Sequence, residues 1–269
     1  MKIRIGFDIT YELAARTPMI LQLNVHPSRR NDLIQDDEIL CTPASSLVRY
    51  CDPFDNICTR MIAAPGLVNF KLDTTIRDSG AADPVVPDAW QHAVEDLPPE
   101  TLVYLQGSRY CETDLLTQRA WQLFGTTPLG WARVQAICDF VHQHLAFAYS
   151  HARATRSAAE AMNERKGVCR DFAHLAIALC RCMNIPARYC TGYLGDIGVP
   201  LDPEPMDFSA WFEAYLGGRW YSFDARHNHP RIGRILMGRG RDAVDVALSN
   251  AFGVCTLKSW RVITEEVKG

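Results

Sequence analysis

None of the apolar runs in this 269-residue chain is long enough to cross a membrane as a helix, so no membrane partner is expected. There is no large charge excess either. Lys and Arg number 28 against 31 Asp and Glu, a net charge of −3, which gives no reason to expect a nucleic-acid surface. The N-terminus, MKIRIGFDITYEL, lacks the apolar run of a secretory leader and alternates like a strand instead. Internal repeats and low-complexity segments are missing. So are a phosphate-binding glycine loop, a D-x-D-x-D-G calcium loop and a C-x-x-C pair, so neither metal nor cofactor is expected. Cys180 and Cys182 are two apart on a predicted helix and face apart. The ten cysteines are spread over a chain too large to need a disulfide framework, and we read them as reduced thiols in a cytoplasmic protein.

From Met1 to about Asp78 the pattern is strand after strand. Ile3, Ile5, Phe7, Ile9 and Tyr11 alternate with period two, and Ile20–Val25 is a second run. Shorter runs follow at Glu38–Cys41, Leu47–Cys51, Ile57–Ile62 and Leu67–Ile76, with turn chemistry at Asp52–Asn56 and Ala64–Gly66. This spacing predicts an antiparallel β-sandwich. Lone His26 fits a structural or surface role. Prolines 84, 87, 98 and 99 mark a linker, with a short helix at Asp88–Val94. Helical periodicity starts after Glu112 and continues in a longer helix, Leu129–Ala146, where His142 and His144 face apart and read as surface residues. Thr155 is placed to cap a short helix ending at Asn163. The predicted class is α+β: a β domain over 1–105, then a helix-and-sheet core over 106–269 whose sheet is completed by a last strand, Val254–Ile263.

The segment RKGVCRDFAHLAIALCRCMNIP carries the first candidate for chemistry. Lys166-Gly167 makes a turn, and Phe172, Leu175, Ala176, Leu179 and Met183 form a helical stripe ended by Asn184 and Pro186. Cys169 therefore opens a buried helix. Helix-end N–H groups and the macrodipole favour a thiolate there and lower its pKa; they would also hold an oxyanion. The competing reading is an inert buried cysteine.

A second segment, SAWFEAYLGGRWYSFD, reads as two aromatic-rich strands around a tight Gly217-Gly218 turn, closed by Asp224. Together, GVCRDFA, this hairpin and its terminal Asp resemble the transglutaminase-like superfamily, whose core is papain-like. Ala210, Trp211, Glu213, Tyr215, Gly218 and Trp220 match the family's hairpin context, which implies that Ser209 and Trp211 lie at the cleft. The resemblance implies an active-site Cys at Cys169 and an orienting carboxylate at Asp224. It also implies a His where this chain has Ser209.

A thiol nucleophile needs a base, and serine is none at neutral pH. Three other histidines come into question. His227 lies three residues past Asp224, in a loop expected to turn back over the cleft. His151 precedes the cysteine helix, and His174 lies on it, rotated away. His227 ranks first. One functional reading is an enzyme acting on a protein or peptide amide by hydrolysis or acyl transfer. The other is a pseudoenzyme that keeps the cleft for binding. Arg231, Arg234, Arg239 and Arg241 read as ion-pairing with Asp242, Asp245 and other acids rather than as an anion site. The Gly195–Phe208 loop is expected beside the cleft, and the oligomeric state is left open.

Overall fold

Strand β1 (Lys2–Leu13) has the alternation read from the sequence, with Ile3, Ile5, Phe7, Ile9, Tyr11 and Leu13 all buried. In the computed structural model, which describes residues 1–268, five further strands follow. They are β2 (Thr17–Leu21), β3 (Leu40–Thr42), β4 (Val48–Cys51), β5 (Ile57–Ala63) and β6 (Gly66–Arg77). The β4–β5 loop turns on Asp52, whose Oδ1 accepts from the N–H groups of Phe54 and Asn56 at 2.8 and 2.9 Å. The proline-rich linker forms no helix at 88–94. It holds only 3₁₀ turns, Val94–Asp96 and Pro99–Leu105, because its prolines remove donors and restrict the residues before them.

The core follows as α1 (Thr113–Phe124), α2 (Trp131–His144), β7 (Ala146–Phe147), α3 (Ala158–Glu164), β8 (Lys166–Gly167) and α4 (Cys169–Cys182). Strands β9 (Ala187–Tyr193), β10 (Ser209–Leu216), β11 (Arg219–Phe223) and β12 (Ile235–Gly240) come next, then β13 (Ser249–Ala251) and β14 (Cys255–Glu266). Helix α4 is central, with α1, α2 and α3 around it and β9 and β10 behind it. Buried Arg181 anchors its C-terminal end by donating to the carbonyls of Ala187, Gln106 and Arg241. The fold is α+β, and its core sheet, in the order β11-β10-β9-β12, is antiparallel throughout. Strand β12 escaped the sequence reading because its glycines and arginines mask a short apolar pattern.

The chain's last strand goes elsewhere than expected. Strand β14 pairs antiparallel with β1, from Ile3↔Glu266 to Leu13↔Cys255, and β13 pairs with β2. The two sandwich sheets are therefore β14-β1-β6-β3 and β13-β2-β5-β4. Strands β13 and β14, assigned to the second region by position, belong to the sheets of the first. A period-two pattern tells which face of a strand is buried, not which edge it joins. The join between the regions is itself apolar: Tyr193, Phe208, Ile235 and Met237 are buried with the sandwich side chains. Among the described residues no helix is long and apolar enough to cross a membrane.

Candidate active site

Cys169 is the first residue of α4, and the structure before it is held firmly. Ser157 caps α3, one turn upstream, in a capping box with Glu160; Thr155 does not serve. The Asp171 carboxylate, fully buried, accepts from the Val168 N–H at 2.9 Å and from Arg156 Nη1 at 2.9 Å. Gly167 is required beside it, since a Cβ there would lie 2.6 Å from the Asp171 Cβ. The positive end of α4 is thus already occupied by a buried carboxylate.

The thiol does not behave as the sequence suggests. Burial pushes Cys169 up to about 11. The Arg226 charge and a hydrogen bond from the Ala210 backbone pull the other way, while Asp207 and Asp224 add to the rise. Desolvation outweighs the helix end. A rise in that direction favours the neutral thiol over the thiolate.

The hairpin runs in the register Phe212↔Phe223 to Leu216↔Arg219, and Gly217 and Gly218 both take positive φ, as a two-residue turn demands. Asp224 follows β11 directly. Its Oδ1 accepts from the backbone N–H groups of Arg226 and His227 at 3.0 and 3.1 Å. Its Oδ2 accepts from His227 Nδ1 at 2.8 Å and Arg234 Nη2 at 3.0 Å. Burial by itself would raise this carboxyl. The Arg234 charge and the bonds from His227 overrule it and hold Asp224 well below the usual carboxylate range. An ionised carboxylate only accepts, so the proton toward Asp224 sits on Nδ1, and in the neutral form of the ring Nε2 is left as an acceptor.

Helix α2 braces this turn from outside. Asn228, in the left-handed region, donates to Asp139 Oδ1 at 2.8 Å and accepts from Gln135 Nε2 at 2.9 Å. His142 is on the surface as expected, yet its Nδ1 donates to the Arg226 carbonyl at 2.9 Å. Sequence reasoning missed this bracing. The helical spacing of Gln135, Asp139 and His142 was its only trace.

Cys169, Ser209 and His227 line one cavity of about 140 Å³, with Arg226 and the 194–208 loop on its walls. Asp224 stands behind His227 and does not line it. Cys169 and Ser209 also line a larger cleft of about 620 Å³, walled by Tyr110, Tyr189, Val246 and, from β14, Trp260. Cys169 therefore lies where two cavities meet. Ser209 opens β10 opposite Gly192 and is buried, and its Oγ has no partner.

The remaining candidates lie apart from this point. Trp211 is buried under the Arg234 guanidinium, 5.2 Å from its ring, and lines neither cavity. His151 bonds the Ala146 carbonyl and lines neither cavity. His174 is fully buried, stacks on Tyr110, accepts from the Ala243 N–H at 3.1 Å and is pushed well below its ordinary pKa by burial. His26 is buried as well, its Nδ1 accepting from the Ser28 N–H. The four arginines are paired: Arg231 with Asp196, Arg234 with Asp83 and Asp224, Arg239 with Asp55 and Arg241 with Asp245. Asp242 instead accepts from backbone N–H groups of Tyr110 and Val244. No group of three or more His, Cys, Asp or Glu suited to a metal occurs among the described residues.

A family model described as the transglutaminase-like superfamily core matches residues 119–225, a span that includes Cys169, Ser209 and Asp224. A candidate cysteine protease from Cytophaga hutchinsonii, of solved structure, is 30% identical and superposes with a TM-score of 0.84, covering 100% of this chain and 91% of its own. An uncharacterised Mycobacterium leprae protein is 39% identical over 95 residues, 34% of this chain and 33% of that protein. A Mycobacterium tuberculosis protein is 35% identical over 96 residues, 32% and 31% of the two chains. The match spans about a third of the length of these curated relatives. The family model covers the thiol that opens α4 and the carboxylate that closes the hairpin, the whole chain superposes on a relative 30% identical to it, and this chain belongs to the transglutaminase-like superfamily.

Proposed function

We propose that the protein carries out thiol-dependent amide chemistry on a protein or peptide, in the cytoplasm, where its thiols stay reduced. Cys169 is the nucleophile, His227 the base, and Asp224 the carboxylate that orients and stabilises the imidazolium. The observation that carries this reading is the 2.8 Å bond from His227 Nδ1 to Asp224, which leaves Nε2 free in a residue lining the same cavity as Cys169. His227 thus takes up, from the Asp224 side, the role that the family assigns to a histidine at position 209. Because the resting thiol is neutral, the base acts as the thiol attacks rather than by holding a standing thiolate. The proton then returns to the leaving amine. The description of the Cytophaga relative favours hydrolysis over acyl transfer.

The test is the pH profile of Cys169 alkylation by iodoacetamide, followed on the Cys169 peptide by mass spectrometry. With a base in place, His227→Ala slows alkylation at pH 7 by about 100-fold. The two profiles converge as the pH approaches the thiol's own value of about 11. Ser209→His brings little gain, because Asp224 is already engaged. Identical profiles for wild type and His227→Ala, with acceleration by Ser209→His, would instead support an inactive binding module.

A further inference from the structure

We infer that the Ser209 hydroxyl is the link between thiol and imidazole: it accepts the proton of Cys169 and passes its own to His227 Nε2. The inference rests on the reading of His227 as the base and adds the route the proton takes.

Three observations meet at this side chain. Ser209 Oγ is buried, in a residue only 6% exposed, and has no hydrogen-bond partner. Such groups are nearly always satisfied in a folded protein, so an orphan beside a reactive thiol points to a partner acquired in use. Ser209 also lines both cavities that meet at Cys169, and the smaller of these contains His227. Finally, its neighbour along the strand, Ala210, lines the larger cleft together with Cys169, so the start of β10 and the start of α4 face the same space. The backbone cannot drift, because Ser209 pairs with Gly192 and its carbonyl accepts from Thr191 Oγ1 at 3.0 Å.

A hydroxyl suits the task because it donates one proton while accepting others. As the sulfur forms its bond to the acyl carbon, the S–H proton moves to Ser209 Oγ and the Ser209 proton moves to His227 Nε2. Thioester chemistry then proceeds with serine unchanged and His227 cationic. On collapse of the tetrahedral adduct the same two transfers run backwards, ending on the leaving nitrogen. No oxidant, reductant or further reactant is needed. Where a histidine at 209 would span the gap alone, this chain divides it between a short hydroxyl and an imidazole on the next turn. Arg226, Asp207 and Asp224 set the field at the sulfur and are the same in every variant used below.

The experiment compares wild type, Ser209→Ala, Ser209→Thr and His227→Ala in the alkylation profile, with circular dichroism confirming that each is folded. The expected result is a loss of about tenfold or more at pH 7 for Ser209→Ala, with Ser209→Thr close to wild type and all profiles meeting near pH 11. On the wild type alone, rates in mixtures of H₂O and D₂O should bend downward with deuterium fraction, as two protons in flight require. A Ser209→Ala rate equal to wild type, with His227→Ala still slow, overturns the relay and leaves His227 acting directly or through water. A straight dependence on deuterium fraction overturns it too. If neither substitution changes the profile, the base assignment itself fails and the relay falls with it.

Discussion

Asp224 accepts four hydrogen bonds, from two backbone groups, an imidazole and a guanidinium, while the Ser209 hydroxyl has none. The turn that follows Asp224 leans on α2 through Asn228 and His142. The thiol side leans on the sandwich, since Trp260 of β14 walls the larger cleft and donates to Asp207 at 2.8 Å. One half of the candidate site is over-determined by the core; the other is assembled between two regions and keeps spare hydrogen-bonding capacity. The carboxylate–imidazole half should therefore resist change and cost stability when cut. The thiol half should tolerate substitution and report it in reactivity.

The widest cut removes residues 1–78. It takes away β1, the partner of β14, and uncovers Tyr193, Phe208, Ile235 and Met237. The truncated chain should lose its cooperative melt and aggregate. A soluble fragment with a sharp thermal transition would show that the thiol half does not depend on the sandwich.

Next in size is Asp224→Ala, which leaves Arg234 buried with one partner lost. Removing one member of a buried pair costs about 3–5 kcal/mol, measurable by denaturant titration. The same group predicts an acid limb. Its folded pKa is depressed, so its contribution is whole above the ordinary value of about 3.8. The contribution is lost as the pH falls below that value, because the unfolded carboxyl takes a proton that the folded one refuses. Asp224→Asn should flatten the drop in stability below about pH 4; an unchanged limb would assign it to other carboxylates.

Asn228→Ala is smaller. It deletes the bridge to Gln135 and Asp139, costs about 1–2 kcal/mol and loosens the turn that holds His227. Cys169 alkylation at neutral pH should slow while the rate near pH 11 stays put. A stability loss with no change in reactivity would separate the brace from the imidazole's placement.

Least of all should be the effect of Ser209→Ala on stability. An unpaired buried hydroxyl contributes nothing to hold the fold, so its removal should shift the unfolding midpoint by less than about 1 kcal/mol, in either direction. A loss of several kcal/mol would mean that Oγ has a partner in the resting protein, and the contrast between the two halves would be weaker than drawn.

Periodicity and turn chemistry alone carried much of the fold. The alternation of β1, the Asp52 turn, the stripe of α4 and the Gly217-Gly218 hairpin are local features, each decided within a dozen residues. Cys169 at a helix start and His227 within one turn of Asp224 were legible for the same reason. The partner of β14 was not, because a strand's pattern leaves its edge free to join any sheet. Nor was the direction of the Cys169 shift. The helix end that favours a thiolate is written locally, but the desolvation that defeats it depends on what packs against the sulfur. The sequence by itself determined most of the sandwich strands, the helices of the core, the first residue of α4 and the substitution of serine at position 209. Only the tertiary structure decided that this serine is buried without a partner in the cavity of Cys169 and His227, because burial belongs to surfaces that meet from distant parts of the chain.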